Sequence, residues 1–91
     1  MNKGIFVTVS GRVQGVGFRY FTQNKAEESG LTGWVRNLPD GKVGVLAFGP
    51  ESELEQFMQV LNEGPLGSKV IHLQFQWLQE KQDFTNFTIR Y

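Results

Sequence analysis

Cysteine is absent from the sequence, and histidine occurs only once, at His72. The lack of cysteine excludes disulfide frameworks, thiolate nucleophiles and cysteine metal ligands, and it suits a reducing compartment. A metal centre or a Ser-His-Asp triad would have to use His72, which lies in a strand pattern without an acidic cluster at ligand spacing. We therefore expect no metal site.

An excess of charge is also missing, since nine lysines and arginines balance nine aspartates and glutamates. The chain has no overall field that would attract nucleic acid or an anionic membrane. No apolar run reaches the roughly 18 residues of a membrane span, and the N-terminus has no signal-peptide pattern. These absences predict a cytoplasmic protein that binds neither nucleic acid nor membrane, and any anion site must be local.

The length of 91 residues, with 40% of them hydrophobic, is typical of one small folded domain, which we place at residues 1–91. No linker, low-complexity tract or internal repeat divides the chain. No strict heptad pattern marks a surface for self-association, so we expect a monomer.

Apolar alternation predicts strands, and apolar residues at helical spacing predict two helices. The first predicted elements are a strand at 5–10, a helix at 20–29 and a hairpin with strands at 33–37 and 42–48. A second helix follows, which begins at a capping box formed by Ser52 and Glu55 and ends at Gly64. The last predicted elements are strands at 70–77 and 84–91. This is the split βαβ arrangement, an α+β fold with two helices on one face of an antiparallel sheet. Phe6 and Phe48 are expected on the helix-free face.

The segment GRVQGVGFR at residues 11–19, here called the glycine loop, carries the main functional signal. Gly15 and Gly17 allow backbone N–H groups to point inward at a helix N-terminus, which favours a tetrahedral oxyanion. Arg19 adds a planar fork of donors suited to two phosphate oxygens. The loop lacks the lysine of a P-loop and the third glycine of a dinucleotide loop, so a nucleotide site is not expected. The alternative is that the glycines only shape a turn and that Arg19 is solvated.

Two other functional patterns have little support. The glutamates that a glycoside hydrolase would need lie on predicted helix surfaces, where solvation is usual. Phe6, Phe48 and Phe75 could form an RNA-stacking platform on a sheet of this topology, but the balanced charge argues against it. The aromatic residues of GVGFRYF lie at a loop and helix start rather than in a central strand.

Three stretches give the chain a resemblance to the acylphosphatase family. They are VSGRVQGVGFR at residues 9–19, GLTGWVRNLPDGKV at residues 30–43, and GPESELEQF from residue 49 with a second GP at residues 64–65. The resemblance implies a ferredoxin-like α/β sandwich that hydrolyses the mixed anhydride of a carboxylic acid and phosphate without a cofactor. It also implies that Arg19 binds the phosphoryl group, that Asn37 positions the attacking water, and that the phosphate cradle consists of Gln14, Gly15, Val16, Gly17 and Phe18.

Two positions depart from some members of the family. Gly17 stands where some relatives have a larger residue, and Leu38 stands where some carry a hydroxyl. Both bear on the tuning of the rate rather than on activity. The implied partner is a small acyl phosphate, and inorganic phosphate or sulfate is expected to fit the same site.

Two alternatives remain open. The first is a non-catalytic anion-binding or regulatory module of the same fold, for which a water holder at Asn37 would be unnecessary. The second is the acylphosphatase-like segment of larger carbamoyl-transfer maturation proteins, whose substrate would be carbamoyl phosphate. A chain of 91 residues without further domains disfavours the second.

Overall fold

One sheet with two helices on one of its faces accounts for the described part of the chain. The structure is a computed structural model, and it describes residues 2–79 and 84–91. Its elements are β1 (Asn2–Arg12), α1 (Phe18–Glu28), β2 (Thr32–Asn37), β3 (Val43–Pro50), α2 (Glu51–Glu63), β4 (Lys69–Leu78) and β5 (Phe87–Arg90). The strands lie in the order β4-β1-β3-β2-β5, so the predicted α+β ferredoxin-like sandwich is confirmed.

The last strand makes the sheet mixed rather than wholly antiparallel. The pairs β1–β3, β1–β4 and β2–β3 are antiparallel, whereas β5 runs parallel to β2, with Gly33 opposite Phe87 and Val35 opposite Ile89. β4 forms one edge of the sheet, and β5 joins the opposite edge beside β2. The strand predicted at 84–91 is confined to Phe87–Arg90.

The core lies between the sheet and the helices. In β1 the residues Ile5, Val7 and Val9 are fully buried, as the predicted alternation requires. Phe6 lies on the helix-free face with its ring edge-on to Trp34, and Phe48 lies there with its ring stacked on Phe84. The helices bury Phe18, Thr22, Ala26, Leu54, Phe57 and Leu61.

Helix α1 begins at Phe18, two residues before the predicted start, because Gly17 takes the N-cap position in a left-handed conformation. Its predicted end is confirmed. Gly30 has φ 69°, the Leu31 N–H donates to the Ala26 carbonyl at 2.9 Å, and the Gly30 N–H donates to the Glu27 carbonyl at 3.1 Å. These two bonds form a Schellman motif.

Helix α2 shows that the capping-box prediction was wrong. The helix begins at Glu51 with Pro50 as its N-cap, so Ser52 lies inside the first turn. Strand β3 runs directly to Pro50, which leaves no loop residue to act as a cap. Glu51 and Glu53 in the first turn stabilise this end through the helix dipole instead. None of the described helices is long and apolar enough to span a membrane.

Candidate functional site

A small cleft lies between the glycine loop, the start of α1 and the end of β2. We call it the loop cleft. It is lined by Val13, Gly15, Gly17, Phe18, Arg19, Tyr20 and Asn37. The structure therefore brings together five of the residues singled out from the sequence, while Gln14 and Val16 are not among the lining residues.

The backbone of the glycine loop explains its glycines. Gly15 has φ 73° and Gly17 has φ 77°, both in the left-handed region that other residues seldom adopt. A Cβ atom at either position would meet no described atom within 4 Å. Glycine is therefore required by the backbone angle and not by crowding from neighbouring atoms. Val13 and Phe18 anchor the two ends of the loop in the core, each with 1% of its surface exposed.

The side chain of Gln14 braces the loop against the β2–β3 turn. Its Nε2 donates to the Leu38 carbonyl at 2.9 Å and to the Lys42 carbonyl at 2.8 Å. Val16 packs its side chain against the core. These two members of the predicted cradle can therefore contribute backbone groups, while their side chains hold the loop in place.

Replacement of Gln14 by leucine is expected to lower the free energy of unfolding by about 1–2 kcal/mol, since each lost hydrogen bond contributes roughly 1 kcal/mol. Both carbonyls keep a second partner in the turn, which limits the loss. The affinity for inorganic phosphate should also fall, because the glycine loop loses its hydrogen bonds to the β2–β3 turn. Urea unfolding and calorimetric phosphate titration measure the two effects.

The matched control is Gln23→Leu, which also removes a hydrogen bond from a glutamine Nε2 to a carbonyl, that of Phe87 at 3.1 Å. Gln23 does not line the loop cleft. This variant should lose stability without losing phosphate affinity. Equal phosphate affinity in Gln14→Leu and the unmodified chain would show that the brace does not shape the loop.

The N-terminus of α1 presents unpaired donors to the cleft. The first N–H bonded within the helix is that of Phe21, which donates to the Gly17 carbonyl at 3.0 Å. The N–H groups of Phe18, Arg19 and Tyr20 precede it and have no acceptor inside the helix. In the described part of the chain no side chain caps this end and no acidic residue occupies the first turn. The helix dipole therefore favours an anion here.

Arg19 is held beside the cleft by the C-terminal end of the chain. Its Nη1 donates a long hydrogen bond of 3.4 Å to the Arg90 carbonyl, and its Cζ lies 4.7 Å from the centre of the Tyr91 ring. Among residues 2–79 and 84–91 no carboxylate forms an ion pair with Arg19. The guanidinium is thus positioned without being neutralised, which leaves its charge for a ligand.

Asn37 contributes a buried acceptor. It is the last residue of β2 and lines the same cleft as Arg19. Its Oδ1 is buried and makes no hydrogen bond to any described residue. A buried acceptor left unpaired costs about 1–3 kcal/mol, so this atom is available to a ligand or to water. A carbonyl oxygen accepts hydrogen bonds, and a water molecule can supply one.

Some functional neighbours were not predicted from the sequence. Tyr20 also lines the cleft, and its position directly after Arg19 was the one available signal. The contacts of Arg19 with Arg90 and Tyr91 depend on the parallel pairing of β5 with β2, which no local pattern reveals. The described residues contain no group of three or more His, Cys, Asp or Glu side chains placed to hold a metal ion.

Comparisons with known proteins give consistent results from sequence and structure. The family model described as Acylphosphatase matches residues 5–89. An acylphosphatase of Bacillus licheniformis is 46% identical over 85 residues, which cover 93% of this chain and 94% of that protein. The crystal structure of acylphosphatase from Bacillus subtilis matches with a TM-score of 0.96 at 41% identity and covers 100% of both chains.

A larger protein also contains this fold. Full-length HypF, in its phosphate- and nucleotide-bound form, matches with a TM-score of 0.92 at 28% identity. The match covers 100% of this chain and 12% of HypF. The small relatives are therefore matched over nearly their whole length, whereas HypF is matched over one segment.

Proposed function

Since the chain belongs to the acylphosphatase family and hydrolyses acyl phosphates, we propose that the loop cleft is its active site, with Arg19 and Asn37 as the catalytic residues. The observation that carries the proposal is the unpaired, buried Oδ1 of Asn37 in the same cleft as an Arg19 that no described carboxylate neutralises. The reaction yields a carboxylate and inorganic phosphate.

The phosphoryl group binds to the backbone of residues 14–18 and to the Arg19 guanidinium. The unpaired N–H groups at the start of α1 and the helix dipole favour its negative oxygens. The forked donors of arginine match two of these oxygens at once. The transition state of phosphoryl transfer is loose, so positioning and charge stabilisation supply most of the catalysis. A cradle and one arginine provide both.

Asn37 orients the nucleophile. Its Oδ1 accepts a hydrogen bond from water and directs the water oxygen at the phosphorus on the side opposite the leaving carboxylate. A new P–O bond forms while the bond to the carboxylate oxygen breaks. An amide cannot take the water proton at neutral pH, so that proton passes to a phosphoryl oxygen of the substrate.

No histidine, aspartate or glutamate is among the described residues that line the cleft. Acyl phosphates need no acid for the leaving group, because a carboxylic acid has a pKa of about 4 and leaves as a carboxylate. An alkoxide is a far stronger base and requires protonation. Benzoyl phosphate should therefore be hydrolysed at least about 10³-fold faster than ethyl phosphate, a factor near the contribution of a general acid. Initial rates with EDTA present measure this ratio.

Comparable hydrolysis of the two substrates would contradict the mechanism, because ethyl phosphate would require a general acid for its leaving group. Loss of benzoyl phosphate hydrolysis in EDTA would contradict the proposal that the reaction needs no metal ion. Nothing in the comparisons favours the non-catalytic alternative. Binding of inorganic phosphate without any hydrolysis of benzoyl phosphate would nevertheless support it.

The chain is also proposed to act as a single domain and as a cytoplasmic monomer, with inorganic phosphate or sulfate able to occupy the cleft. The balanced charge and the absence of cysteine support the cytoplasmic setting. Sedimentation at the concentrations used for kinetics should give a mass near 10.3 kDa. A dimer mass under those conditions would contradict the monomer proposal.

A further inference from the structure

The loop cleft has one lining residue whose side chain has no part in the mechanism and is largely open to solvent. Tyr20 has 68% of its surface exposed, whereas Val13 and Phe18 each have 1% exposed. Gly15 and Gly17 offer only backbone, and Arg19 and Asn37 are assigned to the phosphoryl group and to water. Tyr20 is therefore the lining residue whose side chain is open to an incoming ligand.

The position of Tyr20 is not explained by packing. Helix α1 buries Phe18, Thr22 and Ala26 against the sheet, and Tyr20 is not on that face. The neighbouring Phe21 contacts Phe18 and lies under Lys25. By contrast, the Tyr20 ring makes no aromatic or cation–π contact with the described residues.

We propose that Tyr20 binds the acyl group of the substrate and makes the enzyme prefer aromatic acyl phosphates. This inference rests on the proposed active site. With the phosphoryl group on the backbone and Arg19, the carboxyl end of the substrate points outward, because buried Val13 and Phe18 close the inner side of the cleft. A ring on the carboxyl carbon then lies beside Tyr20, the exposed residue at the rim of the cleft. Stacked rings add about 2- to 10-fold in affinity.

The test compares kcat/KM for benzoyl phosphate with kcat/KM for acetyl phosphate, which has only a methyl group in the acyl position. Tyr20→Ala should lower the benzoyl-to-acetyl ratio by about 2- to 10-fold, and Tyr20→Phe should restore it because the ring is retained. Ile71→Ala is the matched control, since Ile71 is 73% exposed and apolar but does not line the cleft. The ratio in this control should equal that of the unmodified chain.

Two results would overturn the inference. An equal fall in kcat/KM for both substrates would mean that Tyr20 acts on the helix start rather than on the acyl group. An unchanged benzoyl-to-acetyl ratio in Tyr20→Ala would mean that the Tyr20 ring does not contact the acyl group.

A binding experiment separates failure of this inference from failure of the proposed function. Phenacylphosphonate and acetonylphosphonate carry CH₂ in place of the bridging oxygen and cannot be hydrolysed as anhydrides. Calorimetry should show tighter binding of the phenacyl compound, and Tyr20→Ala should abolish that difference. If the unmodified chain binds both but does not hydrolyse benzoyl phosphate, the proposed function fails, and the binding difference alone decides the role of Tyr20.

Discussion

Replacement of Arg19 by alanine is expected to lower kcat/KM for benzoyl phosphate by about 10³-fold or more, the range found when an arginine or a single preorganised donor is removed from charge stabilisation. Both kcat and KM should change, because the guanidinium contacts phosphoryl oxygens in the bound substrate and in the transition state. Within the described residues no other arginine or lysine lines the cleft. Initial rates with EDTA, together with inhibition by inorganic phosphate, measure these effects.

The controls separate charge from geometry. Arg19→Lys keeps the positive charge but loses the planar fork, so it should recover only part of the activity. Arg36→Ala removes an exposed arginine from β2 that does not line the cleft, and it should leave both kinetic constants unchanged. If Arg19→Ala retained kcat/KM within tenfold of the unmodified chain, Arg19 could not be the phosphoryl ligand.

The local signals predicted most of the fold. Alternation placed Ile5, Val7 and Val9 on the buried face of β1. Gly30 marked the end of α1, because a left-handed C′ residue allows backbone N–H groups to donate to the last carbonyls of the helix. The start of α2 was predicted incorrectly. Its capping box matched a local pattern, but β3 runs directly into the helix through Pro50 and leaves Ser52 inside it. The end of the central strand of the sheet thus decided a boundary that the local sequence could not.

The candidate site was predicted unevenly for the same reason. Arg19 and the two loop glycines follow one another along the chain, and their chemistry indicates an anion site without knowledge of the fold. Asn37 entered through the family resemblance. The brace from Gln14 to the β2–β3 turn joins residues 24 and 28 positions apart, and the support of Arg19 by Arg90 spans 71 positions. Such contacts exist only after the sheet has formed.

Replacement of Asn37 by alanine is expected to lower kcat by about 10²- to 10³-fold while KM changes little. The amide orients water and does not hold the phosphoryl group, so substrate binding should survive. The free energy of unfolding should not fall by the amount that a lost hydrogen bond would cost, because the Asn37 Oδ1 has no partner among the described residues.

This combination distinguishes a catalytic role for Asn37 from a structural one. Kinetics on benzoyl phosphate and urea unfolding of the same variant should show a large loss of turnover with nearly unchanged stability. Asn37→Asp keeps an acceptor oxygen but adds a negative charge beside the phosphoryl group, so its KM should rise where that of Asn37→Ala does not. If Asn37→Ala instead lost stability and phosphate affinity together, Asn37 would be holding the loop cleft in shape. The attacking water would then require another holder.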